Sequence, residues 1–249
     1  MLYLLLPAYN EAGALPALLA SARAALPPPF QIVVVDDGSS DDTARIAAPL
    51  AEVIRHPRNL GLGAAMLTGI KAVCSKAADR DVLVAMDADN THDPALIPAL
   101  VARLDAGSDL VIASRYAPGG AEIGLSLPRK IMSRGASTLL RLFFPIPGAR
   151  DYTCGYRAYR VSLLKRALNR FGDRLIEETG FTCMAELLIK LAHLGARVSE
   201  VPLVLRYDLK AGASKMRVLR TIGRYLRLIR RRRMLSDPSD SFDASDRTS

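Results

Sequence analysis

The stretch from Val82 to Pro94 constrains the fold of this 249-residue chain more than any other. It begins with an apolar run, residues 82–86, and then places two carboxylates, Asp87 and Asp89, one residue apart before a group of turn-forming residues. An apolar run of this length that is rich in β-branched residues predicts a central strand of a parallel sheet. Ligands of open α/β sheets bind at the carboxyl ends of the strands, where Asp87 and Asp89 would lie.

The spacing of the two aspartates predicts a metal site. Two carboxylates this close repel each other unless a cation lies between them. Carboxylate oxygens suit Mg²⁺ or Mn²⁺, which take one or two carboxylates and complete their coordination with substrate phosphates. The Asp87-Ala88-Asp89 motif is therefore a candidate site for a metal-bound diphosphate. The alternative is a solvated loop whose aspartates cap the helix that begins near Pro94.

Predicted strands and helices alternate along the chain, which indicates a mostly parallel, Rossmann-like sheet with helices on both faces. The predicted strands are residues 2–6, 31–36, 53–55, 82–86, 109–114 and 197–202. The predicted helices are residues 11–25, a short one capped by Asp41 or Asp42, 63–78, 94–104, 127–143 and 181–194. No internal repeat and no linker interrupts the pattern, so we expect one α/β domain.

The net charge of +9 is concentrated near the C-terminus. Residues 206–233 contain eleven Lys or Arg and one acid, whereas residues 236–249 contain four Asp among serines. We predict an amphipathic basic helix at 215–234 that either docks on the core or contacts an anionic membrane surface. The acidic tail, residues 235–249, is expected to be disordered. The predicted apolar face of the helix consists of Val218, Leu219, Ile222, Tyr225, Leu226 and Ile229, and the basic stripe of Arg217, Arg220, Arg224, Arg227 and Arg231.

Cysteine spacing and hydropathy predict a cytoplasmic protein. The three cysteines are widely spaced and form no zinc pattern or disulfide framework, which favours a reducing compartment. The apolar N-terminus meets Pro7 and Asn10 at once, which is typical of a first strand and not of a signal peptide. No run approaches the roughly 18 apolar residues of a membrane span.

Two further motifs follow the first two predicted strands. Pro7-Ala8-Tyr9-Asn10-Glu11 offers an aromatic face and a carboxylate, and Asp36-Asp37-Gly38-Ser39 offers carboxylates beside a glycine that relieves backbone crowding. A carboxylate at this edge can accept hydrogen bonds from a base or a ribose. Both motifs are also ordinary turn sequences.

The segment from Asn59 to Ala65 is similar to a phosphate-binding loop, but Met66 stands where the last glycine should be. It also follows the third predicted strand and not the first. We therefore favour close packing at a helix start, near the nucleotide.

In this order, the motifs resemble those of family 2 glycosyltransferases with the GT-A fold. The likeness is greatest to the branch of dolichol-phosphate mannosyltransferases and other polyprenyl-phosphate glycosyltransferases, and it covers residues 3–216. Besides the motifs above, the segments that carry it are Ser114-Arg115-Tyr116, residues 151–159, Glu200-Val201-Pro202 and Gly212-Ala213-Ser214-Lys215. The resemblance implies a GT-A catalytic domain over residues 1–214.

The resemblance also implies roles for individual residues. Asp87, Ala88 and Asp89 would hold the metal and the donor diphosphate. The nucleoside contacts would be Pro7, Tyr9, Glu11 and Asp36. The donor and acceptor phosphates would be held by Arg115, Arg129 and Lys215. Two positions depart from the family: Thr91 stands where a Gln is frequent, and the arginine expected at Leu209 would be replaced by Arg206 or Lys210.

The implied activity is a metal-dependent, inverting transfer of mannose or glucose from GDP-mannose or UDP-glucose to polyprenyl phosphate. An ionised phosphate acceptor needs cations that position it, and no general base. The enzyme would lie peripherally at the inner face of the membrane.

Two alternative functions remain open from the sequence. A soluble acceptor with a hydroxyl group would require a carboxylate base, for which Asp151, Glu178 and Glu186 are candidates. The other alternative is a non-catalytic module that binds anions or nucleic acid through the arginine-rich C-terminus. Few aromatic residues interleave with these arginines, so we expect no nucleic-acid partner.

Overall fold

The structure, a computed structural model, describes residues 1–209 and 218–230. Its strands are β1 Leu2–Ala8, β2 Phe30–Asp36, β3 Glu52–Arg55, β4 Val82–Ala85, β5 Leu110–Ser114, β6 Ala121–Ile123, β7 Arg157–Arg160, β8 Val198–Pro202 and β9 Val204–Arg206. Its α-helices are α1 Leu15–Ala25, α2 Thr43–Ala47, α3 Leu62–Cys74, α4 Ile97–Asp105, α5 Leu127–Phe143, α6 Val161–Phe171, α7 Thr182–His193 and α8 Val218–Arg230. Short 3₁₀ turns cover Pro94–Leu96, Gly172–Leu175 and Tyr207–Leu209.

Seven strands form the main sheet in the order β3-β2-β1-β4-β7-β5-β8. β4 lies at its centre and is buried along its whole length, as its apolar sequence predicts. All pairs are parallel except those of β7, which runs antiparallel to both β4 and β5. The prediction of a mostly parallel α/β sheet is therefore confirmed. β6 and β9 pair in a separate two-stranded sheet.

The sequence did not predict β6, β7, β9 or α6. The strand β7 reads Arg-Ala-Tyr-Arg, which has too little apolar periodicity to indicate a strand by itself. Because β7 begins at Arg157, opposite Ala85 at the end of β4, the loop before it lies at the carboxyl edge of the parallel strands.

The first helix begins at Leu15, four residues later than predicted, because the preceding residues serve the loop after β2. The backbone N–H of Glu11 donates to Thr43 Oγ1 at 2.9 Å, and that of Ala12 donates to Asp41 Oδ2 at 3.1 Å. Asn10 takes a left-handed backbone conformation, with φ of 52°. These contacts tie the ends of β1 and β2 together.

The glycine-rich loop before α3 packs against the chain between α6 and α7, as its sequence indicated. A Cβ atom on Gly63 would lie 1.8 Å from the carbonyl oxygen of Glu178, and one on Gly61 would lie 2.4 Å from that of Thr179. No side chain fits at either contact.

We expect Gly63→Ala to destabilise the protein by about 1–3 kcal/mol or more, because the added methyl group collides with backbone that cannot rotate away. The matched control is Gly135→Ala in α5, where a Cβ meets nothing within 4 Å. Alanine is there expected to stabilise the helix by about 0.5–1 kcal/mol. Chemical denaturation of both variants measures the difference, and equal stability of the two would contradict the close packing.

Helix α8 docks on the protein through one face, in contact with α5 and α7. Tyr225 and Leu228 are buried, whereas Leu226 is 49 % exposed. Leu226, which the sequence places on the apolar face of the helix, therefore lies outside the docked face, which follows residues three apart, 225 and 228. Residues 210–217 and 231–249, with Lys210, Lys215, Arg217, Arg231 and the acidic tail, lie outside the described residues, so the boundaries at 214 and 234 stay predictions.

Among the described helices, none combines the length and the apolar character that a membrane span requires.

Candidate active site

The carboxyl ends of β1, β2 and β4 meet at one edge of the sheet. Ala8 pairs with Asp36, and Leu5 pairs with Ala85, so the residues that follow each strand emerge side by side. The loop after β4 is tied to the loop after β1, since Asn90 Nδ2 donates to the carbonyl of Ala14 at 2.9 Å. The structure thus brings together the motifs that begin at Pro7, Asp36 and Asp87.

Asp89 is held in place by the residue two positions ahead. Its Oδ1 accepts hydrogen bonds from the Thr91 hydroxyl at 2.6 Å and from the Thr91 N–H at 3.2 Å, and the carboxylate is only 6 % exposed. The helix that follows is capped instead by Asp93, which accepts from the N–H of Ala95. The capping role that the sequence left open for the aspartate pair thus belongs to Asp93.

The Asp87 backbone is fixed by His92, whose Nδ1 accepts the Asp87 N–H at 3.1 Å. The His92 ring stacks on Tyr156 with 5.0 Å between centroids. On the other side, a Cβ on Gly155 would lie 3.3 Å from Asp87 Oδ1, so glycine keeps open the space beside this carboxylate.

The donor set at this edge fits a hard divalent cation that also binds a phosphate. The carboxylates of Asp87 and Asp89 are the oxygen ligands that Mg²⁺ and Mn²⁺ prefer. Within residues 1–209 and 218–230, no three His, Cys, Asp or Glu side chains cluster so as to hold a metal ion. A cation held by these two carboxylates would complete its coordination with substrate phosphates and water.

Asp36 presents a carboxylate oxygen that is ion-paired with Arg55 but accepts no hydrogen bond within the described chain. Its Oδ1 accepts the Ser39 N–H at 2.9 Å, while the buried Oδ2 forms no hydrogen bond within the described chain and lies 3.2 Å from Arg55 Nε. The ion pair with Arg55 offsets part of the cost of burying this oxygen, which can still accept a hydrogen bond from a ligand. This geometry fits a hydrogen bond from a nucleoside. Nearby, Tyr9 is 36 % exposed at the end of β1.

The neighbouring Asp37 has a structural role that the sequence did not reveal. Its carboxylate accepts the N–H groups of Leu60 and Gly61 at 2.9 and 2.8 Å, and it accepts from His56 Nδ1 at 2.7 Å. The amides of the glycine-rich loop are therefore bound to Asp37, which argues against a phosphate loop. No local pattern indicates this role, because the partners of Asp37 lie 19 to 24 residues further along the chain.

Arg115 lies inside a buried ionic cluster. Its Nε and Nη2 donate to the two carboxylate oxygens of Asp151, each at 2.7 Å, in a bidentate pair. Nη2 also donates to Thr153 Oγ1 at 2.7 Å, and Nη1 donates to Glu122 Oε1 at 3.3 Å. Arg115 is only 9 % exposed, and four of its five N–H groups are thus engaged.

The pKa values of the two carboxylates in this cluster shift in opposite directions. Burial raises the pKa of Glu122, and Arg115 only partly offsets this. For Asp151, burial would also raise the pKa, but the bidentate contact with Arg115 and the N–H groups that it accepts hold it below its ordinary value. Asp151 therefore remains ionised.

Glu122→Gln is expected to raise the thermal midpoint near neutral pH. The folded protein retains a proton on Glu122 above the ordinary pKa of 4.5, where the unfolded chain has lost it. The free energy of unfolding therefore falls as the pH rises from 4.5 through the raised pKa of Glu122 in the folded state, and the loss persists at higher pH. Glutamine keeps the acceptor for Arg115 without the charge. A pH series of melting curves should show the gain above this pH range and little difference below it. A lower midpoint of the variant at neutral pH would contradict the assignment.

The other predicted cations lie near the two-stranded sheet. Arg129 donates from Nη1 to the Tyr207 hydroxyl at 2.9 Å. Arg206 forms an exposed ion pair with Asp208 at 2.8 Å, and its N–H donates to the carbonyl of Thr91 at 3.2 Å, which places β9 beside the aspartate loop. Lys215 lies outside the described residues.

The three carboxylates considered as general bases have other partners. Asp151 is paired with Arg115, and the buried Glu186 pairs with Lys190 at 2.7 Å and accepts the N–H groups of two residues. Glu178 accepts the Thr182 hydroxyl at 3.0 Å.

Comparisons with known proteins agree with this architecture. The model of the family described as "Glycosyl transferase family 2" matches residues 3–168. The chain is 35 % identical over 219 residues to a polyprenol monophosphomannose synthase of Mycolicibacterium smegmatis, covering 85 % of this chain and 79 % of that one. It is 35 % identical over 218 residues to an undecaprenyl-phosphate mannosyltransferase of Micrococcus luteus, covering 85 % and 86 %.

Among solved structures, the chain is similar to the glucosyl-3-phosphoglycerate synthase of Mycobacterium tuberculosis, crystallised with Mn²⁺, UDP and glucosyl-3-phosphoglycerate. The TM-score is 0.65 at 22 % identity, over 92 % of this chain and 77 % of that one. This likeness confirms the GT-A fold, and the family match confirms the resemblance drawn from the motifs. The chain belongs to glycosyl transferase family 2.

Proposed function

We propose that this protein transfers a hexose, in the first instance mannose, from a nucleotide sugar to a polyprenyl phosphate. The observation that carries the proposal is the similarity over 85 % of the chain to two enzymes that are both named for mannose and a polyprenyl phosphate. The neighbouring carboxylates of Asp87 and Asp89, together with the Oδ2 oxygen of Asp36, would provide the chemistry for a nucleotide-sugar donor.

Asp87 and Asp89 would hold Mg²⁺ or Mn²⁺, which stabilises the leaving diphosphate as a Lewis acid. Thr91 supports this role, because its hydroxyl and N–H hold one oxygen of Asp89 and so fix the orientation of the carboxylate. Ala88 is buried, so this position would contribute only its backbone.

The nucleoside would lie over the ends of β1 and β2. Asp36 would accept a hydrogen bond from the base or the ribose, and Pro7, Tyr9 and Glu11 would line the contact. The exposed ring of Tyr9 suits stacking on a base. GDP-mannose and UDP-glucose are the two donors to compare.

The acceptor phosphate would be positioned by cations. Arg115 has one N–H group beyond the four bound within the described chain, and it is oriented by Asp151. Arg129, Arg206 and Lys215 would add charge, with Arg129 held by Tyr207. Donor and acceptor are both anions, so positioning them together requires such cations.

The engagement of the candidate bases favours a phosphate acceptor over a hydroxyl acceptor. A general base must reach the proton that it removes, with a pKa near the working pH. Asp151 is held by Arg115 with a lowered pKa, and Glu186 is bound to Lys190 in the core. A phosphate is already ionised and attacks the anomeric carbon without a base.

Incubation with Mg²⁺, polyprenyl phosphate and radiolabelled GDP-mannose or UDP-glucose tests the proposal. We expect a labelled, acid-labile lipid with one of the two donors. NMR of the product should show inversion at the anomeric carbon. Calorimetry with the same donors provides the control that the preparation is folded and binds. Donor binding without transfer to the lipid, together with transfer to a soluble sugar, would contradict the proposed acceptor.

A further inference from the structure

A cavity lies between α5 and the loop that follows it. Its volume is about 740 Å³, and Arg134, Arg141 and Arg150 all line it. None of these three guanidinium groups forms an ion pair with a carboxylate of the described chain. By contrast, Arg45, Arg115 and Arg197 each pair with an aspartate. Glu122 attracts Arg134 electrostatically and the Glu200 carboxylate accepts the Arg150 backbone N–H at 2.6 Å, but the three guanidinium groups together leave an excess of positive charge around the cavity, which favours an anion.

The cavity also contains an unsatisfied polar group. Ser137 lines it and is only 2 % exposed, yet its hydroxyl forms no hydrogen bond within the described residues. Burying a hydroxyl without a partner costs free energy that a bound ligand would recover. A phosphate oxygen at this position would accept a hydrogen bond from the Ser137 hydroxyl while the arginines neutralise its charge.

This cavity is distinct from the proposed donor site. Tyr116 lines the cavity, and its ring contacts both Arg134, at 5.5 Å, and the buried Arg115, at 4.9 Å. The Tyr116 hydroxyl donates to Ser133 of α5 at 2.8 Å, which holds the ring in place.

Exposed apolar side chains lie along α5, and one of them reaches the cavity. Leu142, which lines the cavity, is 76 % exposed, and Leu127 and Ile131 are 69 % and 63 % exposed. Leu127, Ile131 and Arg134 follow one another at intervals of four and three residues, so they lie on one face of the helix. Only Ser137 and Leu140 of α5 are buried. A helix that exposes leucines beside arginines is typical of one that lies in a lipid–water interface.

We propose that the Arg134–Arg141–Arg150 cavity binds the phosphate headgroup of an anionic phospholipid, while Leu127, Ile131 and Leu142 enter the adjoining lipid. The arginines favour a phosphate because it is an anion. The exposed apolar side chains favour a phosphate that belongs to a lipid, because they can enter the lipid beside it. The site thus attaches the protein to the membrane surface through α5, independently of residues 215–234.

Sedimentation with phosphatidylcholine vesicles, with and without phosphatidylglycerol, tests this proposal. We expect binding that depends on phosphatidylglycerol and that weakens about thirtyfold in Arg141→Gln/Arg150→Gln, since each basic residue near an anionic surface contributes about fivefold. The matched control is Arg23→Gln/Arg103→Gln, which removes the same charge from exposed positions on α1 and α4. It should weaken binding less than about twofold. An equal loss in both variants would overturn the proposal.

Ser137→Ala separates a built site from general attraction. The hydroxyl has no hydrogen-bond partner among residues 1–209 and 218–230, so the variant should melt at or above the wild-type midpoint while its vesicle binding falls. Unchanged vesicle binding would contradict a role for this cavity.

Two further arms distinguish the source of the phosphate. Stabilisation by inorganic phosphate that depends on Arg141 and Arg150, without vesicle binding, would overturn the lipid assignment in favour of a soluble ligand. Binding to vesicles that carry polyprenyl phosphate but not to those with phosphatidylglycerol would overturn it in favour of the acceptor. Transfer to an acceptor dissolved in detergent should survive in Arg141→Gln/Arg150→Gln, so that failure of this site is distinguishable from failure of the proposed function.

Discussion

Replacing Asp89 by asparagine is expected to lower the rate of sugar transfer by about 10³-fold, equivalent to about 4 kcal/mol of transition-state stabilisation. The substitution removes one of the two charges that would bind the cation. The fold should survive, because an asparagine Oδ1 can still accept from the Thr91 hydroxyl and N–H. Initial rates with saturating donor and a Mg²⁺ or Mn²⁺ titration measure the effect.

The matched control is Asp93→Asn, four residues along the same loop. Asp93 accepts the N–H of Ala95 at the start of the following helix, and asparagine caps helices equally well. We expect its transfer rate to stay close to that of the wild type. If Asp89→Asn retained more than about a tenth of the wild-type rate at every metal concentration, the aspartate pair would not be the metal site.

Replacing Asp151 by asparagine is expected to destabilise the protein by about 3–5 kcal/mol and to lower the thermal midpoint by roughly 10 °C. The substitution leaves the buried guanidinium of Arg115 without its bidentate partner. An asparagine offers Arg115 only one acceptor oxygen, and its N–H₂ group would face the second N–H donor of Arg115. The loss should grow smaller at acid pH: the lowered pKa of Asp151 stabilises the folded state above its ordinary value of 3.8, and this contribution disappears as pH falls through the folded-state pKa.

An exposed ion pair provides the comparison. Asp42 and Arg45 lie 2.7 Å apart with both side chains largely exposed, and Asp42→Asn should leave the midpoint unchanged. Adding Arg115→Met to Asp151→Asn should recover stability, because an apolar side chain removes the unpaired charge. A variant Asp151→Asn that is as stable as the wild type but lacks transfer would instead assign Asp151 as a general base and favour a hydroxyl acceptor.

Most strands and the position of the site could be predicted because they depend on local patterns. The apolar run at 82–86 and the carboxylates after it indicated a buried strand and a ligand edge, and the helix 127–143 was predicted with the bounds that the structure shows. β7 could not be predicted in this way, since its stability comes from two neighbouring strands and not from its own four residues.

Partners distant in the sequence were beyond such patterns. Arg115 was identified as a cation, but its pairing with Asp151, 36 residues later, and with Glu122 on a separate strand depends on the path of the chain. The same applies to the C-terminal helix. Its sequence predicts an amphipathic helix, but Leu228 is buried and Leu226 is exposed because of where α5 and α7 lie.

The sequence by itself determined the α/β class, the family and the carboxylates that would face a donor, because strand periodicity and short motifs are properties of neighbouring residues. Tertiary structure alone decided which charges are neutralised and which remain available. Arg115 is enclosed by carboxylates, whereas Arg134, Arg141 and Arg150 surround a cavity without one in the described chain. The physical reason is that a charge acquires its pKa, its cost and its availability from neighbours that folding brings within a few ångströms.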